Sequence, residues 1–352
     1  MFLKFFGLRE QPFGVTPDPR YLYLSPAHRE ALASLFYGIE VGRGFLALIA
    51  KPGMGKTTLL FHLLEKFRRT ARTVLLFQTQ CTSREFMRFL MSELGYETAD
   101  HDFVRMHEEF NRHLVQEARA GNRFIIVVDE AQNLDPSVLE TIRLLSDFET
   151  PQAKLLQIVL AGQPELADKL ASRNLAQLRQ RISLVSGLEQ LSVDDTRNYI
   201  QHRLRVAGYE GERLFTPQAL ADTADFTEGI PRNINSFCFN AMSLACALRQ
   251  PIIDASIVRE VISDLDISQH VSQPPAQERA VARMATGSED SRVDYEWVTA
   301  RPGEILGPSP ETRADAQLGP SPRRKGKDEC LTLSEARAFL EQITRSLGDR
   351  QS

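Results

Sequence analysis

Ala50-Lys51-Pro52-Gly53-Met54-Gly55-Lys56-Thr57 begins where a wholly apolar run, Phe45 to Ala50, ends. It opens a helical pattern that continues from Lys56 to about Arg69. A buried strand, a glycine-bearing loop and a helix in that order form the pattern of a phosphate-binding loop, here with alanine in place of the first glycine. Gly53 and Gly55 let backbone N–H groups turn inward around a β-phosphate. Lys56 would bridge the β- and γ-phosphates, and Thr57 would give its hydroxyl to Mg²⁺. Thr58 continues the same first turn, whose positive helix end adds to the anion site. The ligand implied is ATP with Mg²⁺.

The second decisive stretch is Phe124-Ile125-Ile126-Val127-Val128-Asp129-Glu130. A buried strand ending in two acids places Asp129 to hold Mg²⁺ and Glu130 to polarise an attacking water. The acids come two strands after the loop, which implies a further strand inserted between the two in the sheet. Gln163, in Gly162-Gln163-Pro164 at the end of the fourth strand, is placed to contact a γ-phosphate or to orient water. Arg181, with Arg179 as the second choice, ends a helix where an arginine can project into a neighbouring subunit's nucleotide. Arg232, in Gly229-Ile230-Pro231-Arg232-Asn233, can reach back over the phosphates.

Outward from these motifs, short apolar strands alternate with helices. The strands are Phe45 to Ala50, Thr73 to Phe77, Phe124 to Val128, Leu155 to Ala161 and Ile182 to Leu188. Between them the spacing predicts helices over Ser83 to Leu94, Phe103 to Ala120, Pro136 to Phe148 and Pro164 to Gln180. This alternation predicts an α/β fold with a parallel sheet covered on both faces. Ser25-Pro26 reads as an N-cap followed by proline at the first helical position. From Ser192 onward the strands stop, and Asp194–Ala207, Pro217–Ala224, Arg232–Leu248 and Asp254–Asp264 read as a small helical domain. The expected organisation is a nucleotide-binding α/β domain over 1–190 and a helical lid over 191–267. A proline-rich, disordered linker over 268–330 and a short amphipathic helix within 331–352 would follow. Its apolar stripe (Leu333, Ala336, Leu340, Ile343, Leu347) is too small to fold alone, so 331–347 is read as a docking segment.

The net charge of −4 gives no global attraction to polyphosphate, so binding DNA would need a local basic surface. Arg323, Arg324, Lys325 and Lys327 form a basic run, but a solvated tail explains them as well, and DNA is not the favoured partner. Cys81, Cys238, Cys246 and Cys330 show no CxxC pairing and read as reduced thiols of a cytoplasmic protein. The apolar start, MFLKFFG, is too short for a signal peptide, and no run reaches the length of a membrane span.

The motif order resembles the AAA+ ATPases, and more closely the general secretion pathway protein A (ExeA-like) family. The resemblance rests on FFGLREQPFGVTPDPRYLYLSPAHREAL (5–32), the loop at 50–57, VVDEAQNL (127–134), LAGQPEL (160–166), LRQRI (178–182) and GIPRNIN (229–235). It covers about residues 1–266. It implies a sheet ordered 5-1-4-3-2, a helical lid with ATP beneath it, and an N-terminal block near Phe13 and Pro17 to Tyr21 that helps to hold the adenine. Full-length members carry a membrane span and a peptidoglycan-binding domain after the ATPase. A polar linker and one short helix are expected in their place here. The resulting expectation is a homo-oligomeric ATPase serving a secretion or envelope complex. The alternatives are a DNA-associated ATPase or a slow ATP-dependent switch.

Overall fold

The computed structural model describes residues 2–77, 80–98, 102–150 and 153–271, the last helix in backbone only beyond Leu265. Its centre is a five-stranded sheet of β1 (Phe45–Ile49), β2 (Ala71–Leu76), β3 (Arg123–Val128), β4 (Leu156–Gly162) and β5 (Ile182–Gly187), all parallel, in the order 2-3-4-1-5. Read from the other edge this is 5-1-4-3-2, with β4 inserted between the loop-bearing β1 and the acid-bearing β3. A two-residue hairpin, Glu149–Thr150 with Ala153–Lys154, stands apart from the sheet.

The helices preceding the lid are α1 (Phe2–Phe5), α2 (Pro26–Glu40), α3 (Lys56–Phe67), α4 (Ser83–Glu93), α5 (Phe103–Arg119), α6 (Pro136–Leu145), α7 (Pro164–Ala171) and α8 (Ala176–Arg181). Alternation along the strands decides which helices cover which face. Phe124, Ile126 and Val128 share a core with Leu156, Ile158 and Leu160, closed by Phe86, Met106, Phe110 and Leu139 from α4, α5 and α6. Ile125 and Val127 point the other way, to Leu46, Leu48, Val159 and Ala161, closed by Leu35 and Ile39 of α2 and Leu59 and Leu63 of α3. Burying each such side chain contributes about 1.5–3 kcal/mol, so a contiguous VIL run is stable only with both faces covered.

Local signals set the helix starts. Ser25 caps α2, its hydroxyl accepting from the His28 N–H, with Pro26 at the first position. Thr82 and Glu85 close a reciprocal capping box at α4. The single helix expected over Pro164 to Gln180 is instead broken. Ser172 leaves the helical region (φ −62°, ψ 150°), and a 3-10 turn at Arg173–Leu175 precedes α8. The break returns Leu175 and Leu178 to the core that already holds Leu166 and Leu170.

The lid contains α9 (Val193–Val206), α10 (Pro217–Thr227), α11 (Pro231–Ala247) and α12 (Ala255–Val271) around Ile200, Phe237, Cys238 and Val258. Phe6, Leu8, Phe13 and Tyr21 belong to this same core. The N-terminal segment therefore packs with the lid, where the sequence reading had grouped it with the sheet. The reason is that four-residue α1 cannot bury its own apolar side chains: Phe2 stacks edge-on to Phe239 of α11, and the Arg9 N–H donates to the Ala207 carbonyl. α12 runs to Val271, beyond the expected linker start at 268. The rest of the expected linker and the 331–347 segment lie outside the described residues.

Candidate nucleotide site

The motifs converge at the C-terminal ends of β1, β3 and β4, where parallel α/β sheets place their ligand crevices. Between β1 and α3 the chain turns through Gly53 (φ 80°) and Gly55 (φ 88°), a left-handed backbone region costly to residues bearing a Cβ. At Gly53 space forbids one as well, since it would stand 2.8 Å from Arg232 Cβ. Lys56 is buried (6% exposed) and its Nζ donates to the Ala50 carbonyl at 3.2 Å, folding the side chain back over its own loop. The Thr57 hydroxyl donates to Asp129 Oδ2 at 2.6 Å. A hydroxyl beside a carboxylate, under a bare-backbone loop with an inward lysine, is a donor set that fits Mg²⁺ and a polyphosphate.

Glu130 follows Asp129 in the left-handed region (φ 53°, ψ 35°), uncommon for a side-chain-bearing residue and costing about 1–3 kcal/mol. Its N–H donates to Asp129 Oδ1 at 2.9 Å. Its Oε2 accepts from Gln132 Nε2 at 2.6 Å and from Gln163 Nε2 at 3.0 Å, while the Gln163 N–H donates to Gln132 Oε1 at 3.1 Å. Partial burial pushes this carboxyl upward. The Gln163 and Gln132 hydrogen bonds, with the charges of Lys56 and Arg232, outweigh it and hold Glu130 below the usual carboxylate range. Lys169 Nζ supports the turn, donating to the carbonyls of Gln132 (2.5 Å) and Leu134 (2.8 Å).

Arg232 lies at the first turn of α11, and its N–H donates to the Gly53 carbonyl at 3.1 Å, so the lid touches the loop directly. Arg181 and Arg179 stand elsewhere. Arg181 forms an ion pair with Asp147, and Arg179 Nη1 donates to the Ala171 carbonyl at 3.0 Å. Neither contacts the loop within its own chain.

Beside the loop, a cleft is lined by Tyr21, Leu22, Tyr23, Met54, Thr58 and Arg203, among others. Phe13, expected near the adenine, is buried in the lid core (3% exposed), and Pro17 is exposed; neither lines this cleft. Phe13 and Tyr21 share the lid core, and of the two only Tyr21, followed by Leu22 and Tyr23, also lines the cleft. Arg203 ties the N-terminal segment to α9: its Nε donates to the Pro12 carbonyl at 2.6 Å, and its guanidinium lies 4.7 Å from the centre of the Tyr21 ring. Sequence reading missed Gln132 and Arg203. The first lay in plain view in the VVDEAQNL block, but the second carried no local signal.

Residues 39–170 match the family model described as an AAA domain. The chain is 41% identical over 249 residues to general secretion pathway protein A of Aeromonas hydrophila, covering 70% of this chain and 45% of that protein. It spans less than half the length of the curated relatives it matches. Among solved structures, the ORC2 protein of Aeropyrum pernix aligns with a TM-score of 0.58 at 14% identity, over 72% of this chain and 71% of that one. Cdc6p of Pyrobaculum aerophilum aligns with a TM-score of 0.57 at 17% identity, over 72% and 70%. At such identities these two likenesses establish the fold.

Proposed function

The chain carries an AAA domain of the P-loop type and is related to general secretion pathway protein A, and from that premise we propose that it binds Mg-ATP and hydrolyses its γ-phosphate bond. The observation that supports this most is the convergence of Lys56, Thr57, Asp129, Glu130 and Gln163 at one end of the sheet, with Thr57 hydrogen-bonded to Asp129. Gly53 and Gly55 offer backbone N–H groups to the phosphates, and Lys56 adds a point charge at the β/γ bridge. Thr57 and Asp129 would hold Mg²⁺, which when bound neutralises charge on the β- and γ-oxygens. Glu130 polarises the attacking water, Gln163 reads the γ-phosphate, and Arg232 closes over it from the lid. Tyr21 and Tyr23 offer flat apolar surface for the base.

Hydrolysis in this reading is completed by an arginine, Arg181 before Arg179, from a neighbouring copy of the chain, so the working form is a homo-oligomer. Its work is the assembly or remodelling of a secretion or envelope-associated complex from the cytoplasmic side, in keeping with the name of the Aeromonas relative. Among the described residues no helix is long and apolar enough to cross a membrane.

Phosphate release by purified wild type and Lys56→Ala, alongside direct ATP binding, tests the assignment. Loss of both in Lys56→Ala is expected; equal ATP affinity in the two proteins would remove the phosphate-loop reading.

A further inference from the structure

The His28 side chain is buried, 3% exposed, yet both ring nitrogens have partners. Nε2 lies 3.0 Å from the Met54 carbonyl oxygen and Nδ1 lies 2.7 Å from Ser25 Oγ. A carbonyl only accepts, so Nε2 carries the ring proton. Ser25 Oγ already accepts the His28 backbone N–H at 3.3 Å, which leaves its own proton to go to Nδ1. Every donor and acceptor in the Ser25–His28–Met54 chain is then matched with a neutral imidazole, the form that burial favours.

Met54 stands between the two left-handed glycines of the phosphate loop. In a trans peptide the C=O and the following N–H point in opposite directions. Anchoring the Met54 carbonyl on His28 therefore turns the Gly55 N–H away from α2, to the side where a phosphate oxygen would be received. With glycine at 55, one of the two torsions that turn this peptide is weakly restrained, so an outside anchor helps to fix it.

Resting on the nucleotide reading above, we infer that His28 is a positioning residue of the phosphate loop, fixing the Met54–Gly55 peptide so that its N–H is presented to the phosphates. The ligand part that feels the anchored peptide is the polyphosphate; His28 also lines the cleft beside the loop, so the nucleoside meets only the change of side chain there. The same α2 turn continues into Tyr23, whose hydroxyl donates to Asp195 of α9 at 3.0 Å, so the anchor stands on a segment tied to the lid.

The test uses the full chain and its His28→Leu, His28→Asn and His28→Gln variants, with Lys56→Ala as control. Dissociation constants for ATP, ADP and adenosine are measured with the melting temperature of each protein without nucleotide. His28→Leu leaves the Met54 carbonyl without its donor. His28→Asn keeps a polar group near Ser25 but is too short to reach Met54. His28→Gln places an N–H near the old Nε2 position. ATP and ADP should bind on the order of tenfold more weakly to the Leu and Asn variants, the loss expected when a buried acceptor goes unpaired. Adenosine, which lacks the phosphates but meets His28 in the cleft, should lose clearly less affinity than ATP and ADP, and His28→Gln should recover most of the difference. ATP binding within about twofold of wild type in the Leu and Asn variants, with Lys56→Ala inactive for binding, would overturn the role of His28 alone. Normal ATP binding by Lys56→Ala would instead remove the nucleotide reading beneath it. Equal weakening of ATP and adenosine with a lowered melting temperature in all three variants would show ordinary packing and also contradict the inference.

Discussion

The Thr57 hydroxyl donates to Asp129 Oδ2 across 2.6 Å, joining the first turn of α3 to the end of β3, 72 positions later in the chain. The bond sets a neutral oxygen beside a carboxylate at the place proposed for Mg²⁺. Thr57→Val keeps the shape and removes the hydroxyl. The Mg²⁺ concentration giving half-maximal hydrolysis should then rise about tenfold, since a hydrogen bond to a charged group is worth roughly 1.5–3 kcal/mol. A magnesium titration of phosphate release reads this, and Thr57→Ser should restore it.

Glu130 supplies a pH prediction. Its carboxyl is held below 4.5, its ordinary value, because the Gln163 and Gln132 hydrogen bonds and the charges of Lys56 and Arg232 outweigh the upward push of burial. A carboxylate depressed on folding adds stability that is complete above the unfolded value and is lost as pH falls through the folded one. The acid limb that Glu130 contributes to kcat/KM should therefore lie below the ordinary carboxylate range in wild type. Gln163→Ala removes one of the bonds and leaves burial in place, so the acid limb should move upward. An unmoved limb in a pH–rate profile would mean that Gln163 does not set the charge of Glu130.

At Gly229 (φ 64°) a Cβ would stand 2.1 Å from the Leu191 carbonyl oxygen. Neither backbone has a flexible end to yield, and the Leu191 N–H donates to the Gly229 carbonyl at 2.9 Å. Gly229→Ala should cost about 1–3 kcal/mol from backbone strain, with the Cβ contact on Leu191 adding to it. The matching fall in melting temperature is roughly 2–4 °C per kcal/mol. Because Ile230 and Arg232 follow directly, nucleotide affinity should fall with it. Calorimetry with and without ATP reads both effects.

Arg181 is ion-paired with Asp147 on a partly exposed surface, and such pairs contribute about 0–1 kcal/mol. Arg181→Ala should leave the fold and ATP binding intact. If the residue serves a neighbour's site, turnover should fall by on the order of 10³–10⁵. Wild-type hydrolysis per subunit should then rise with protein concentration, and mixing Arg181→Ala with Glu130→Gln should restore some activity, since each lacks a different half of a shared site. Turnover per subunit that is flat from dilute monomer upward would count against sharing.

The strand runs, the phosphate loop and the paired acids were legible because each is contiguous: an apolar run, a turn and a polar end occupy neighbouring positions. Motif order implied a strand between β1 and β3, and the family resemblance implied that it is β4. What was not legible depends on contacts between distant segments. Nothing local in Phe13 tells that it sinks into the lid while Tyr21 to Tyr23 face the cleft. Arg203 looks like any helical arginine until Pro12 and Tyr21 are folded against it. The break at Ser172 was hidden because the helical period resumes after it; only the position of the core at Leu175 and Leu178 requires the turn. Gln132 could have been read with its neighbours, since a carboxamide two residues after an acid is within reach of it once the chain turns at Glu130.

In the proposed reaction Glu130 activates water while the neighbouring residues hold the nucleotide. The most direct measurement is the identity of the nucleotide retained by Glu130→Gln after incubation with Mg-ATP, beside wild type and Lys56→Ala. The substitution keeps the shape and removes the charge, so Glu130→Gln should retain intact ATP with turnover lowered at least about 10²-fold. Wild type should yield ADP, and Lys56→Ala should retain nothing. ADP appearing in Glu130→Gln at the wild-type rate would contradict the account and place the activating group on another residue.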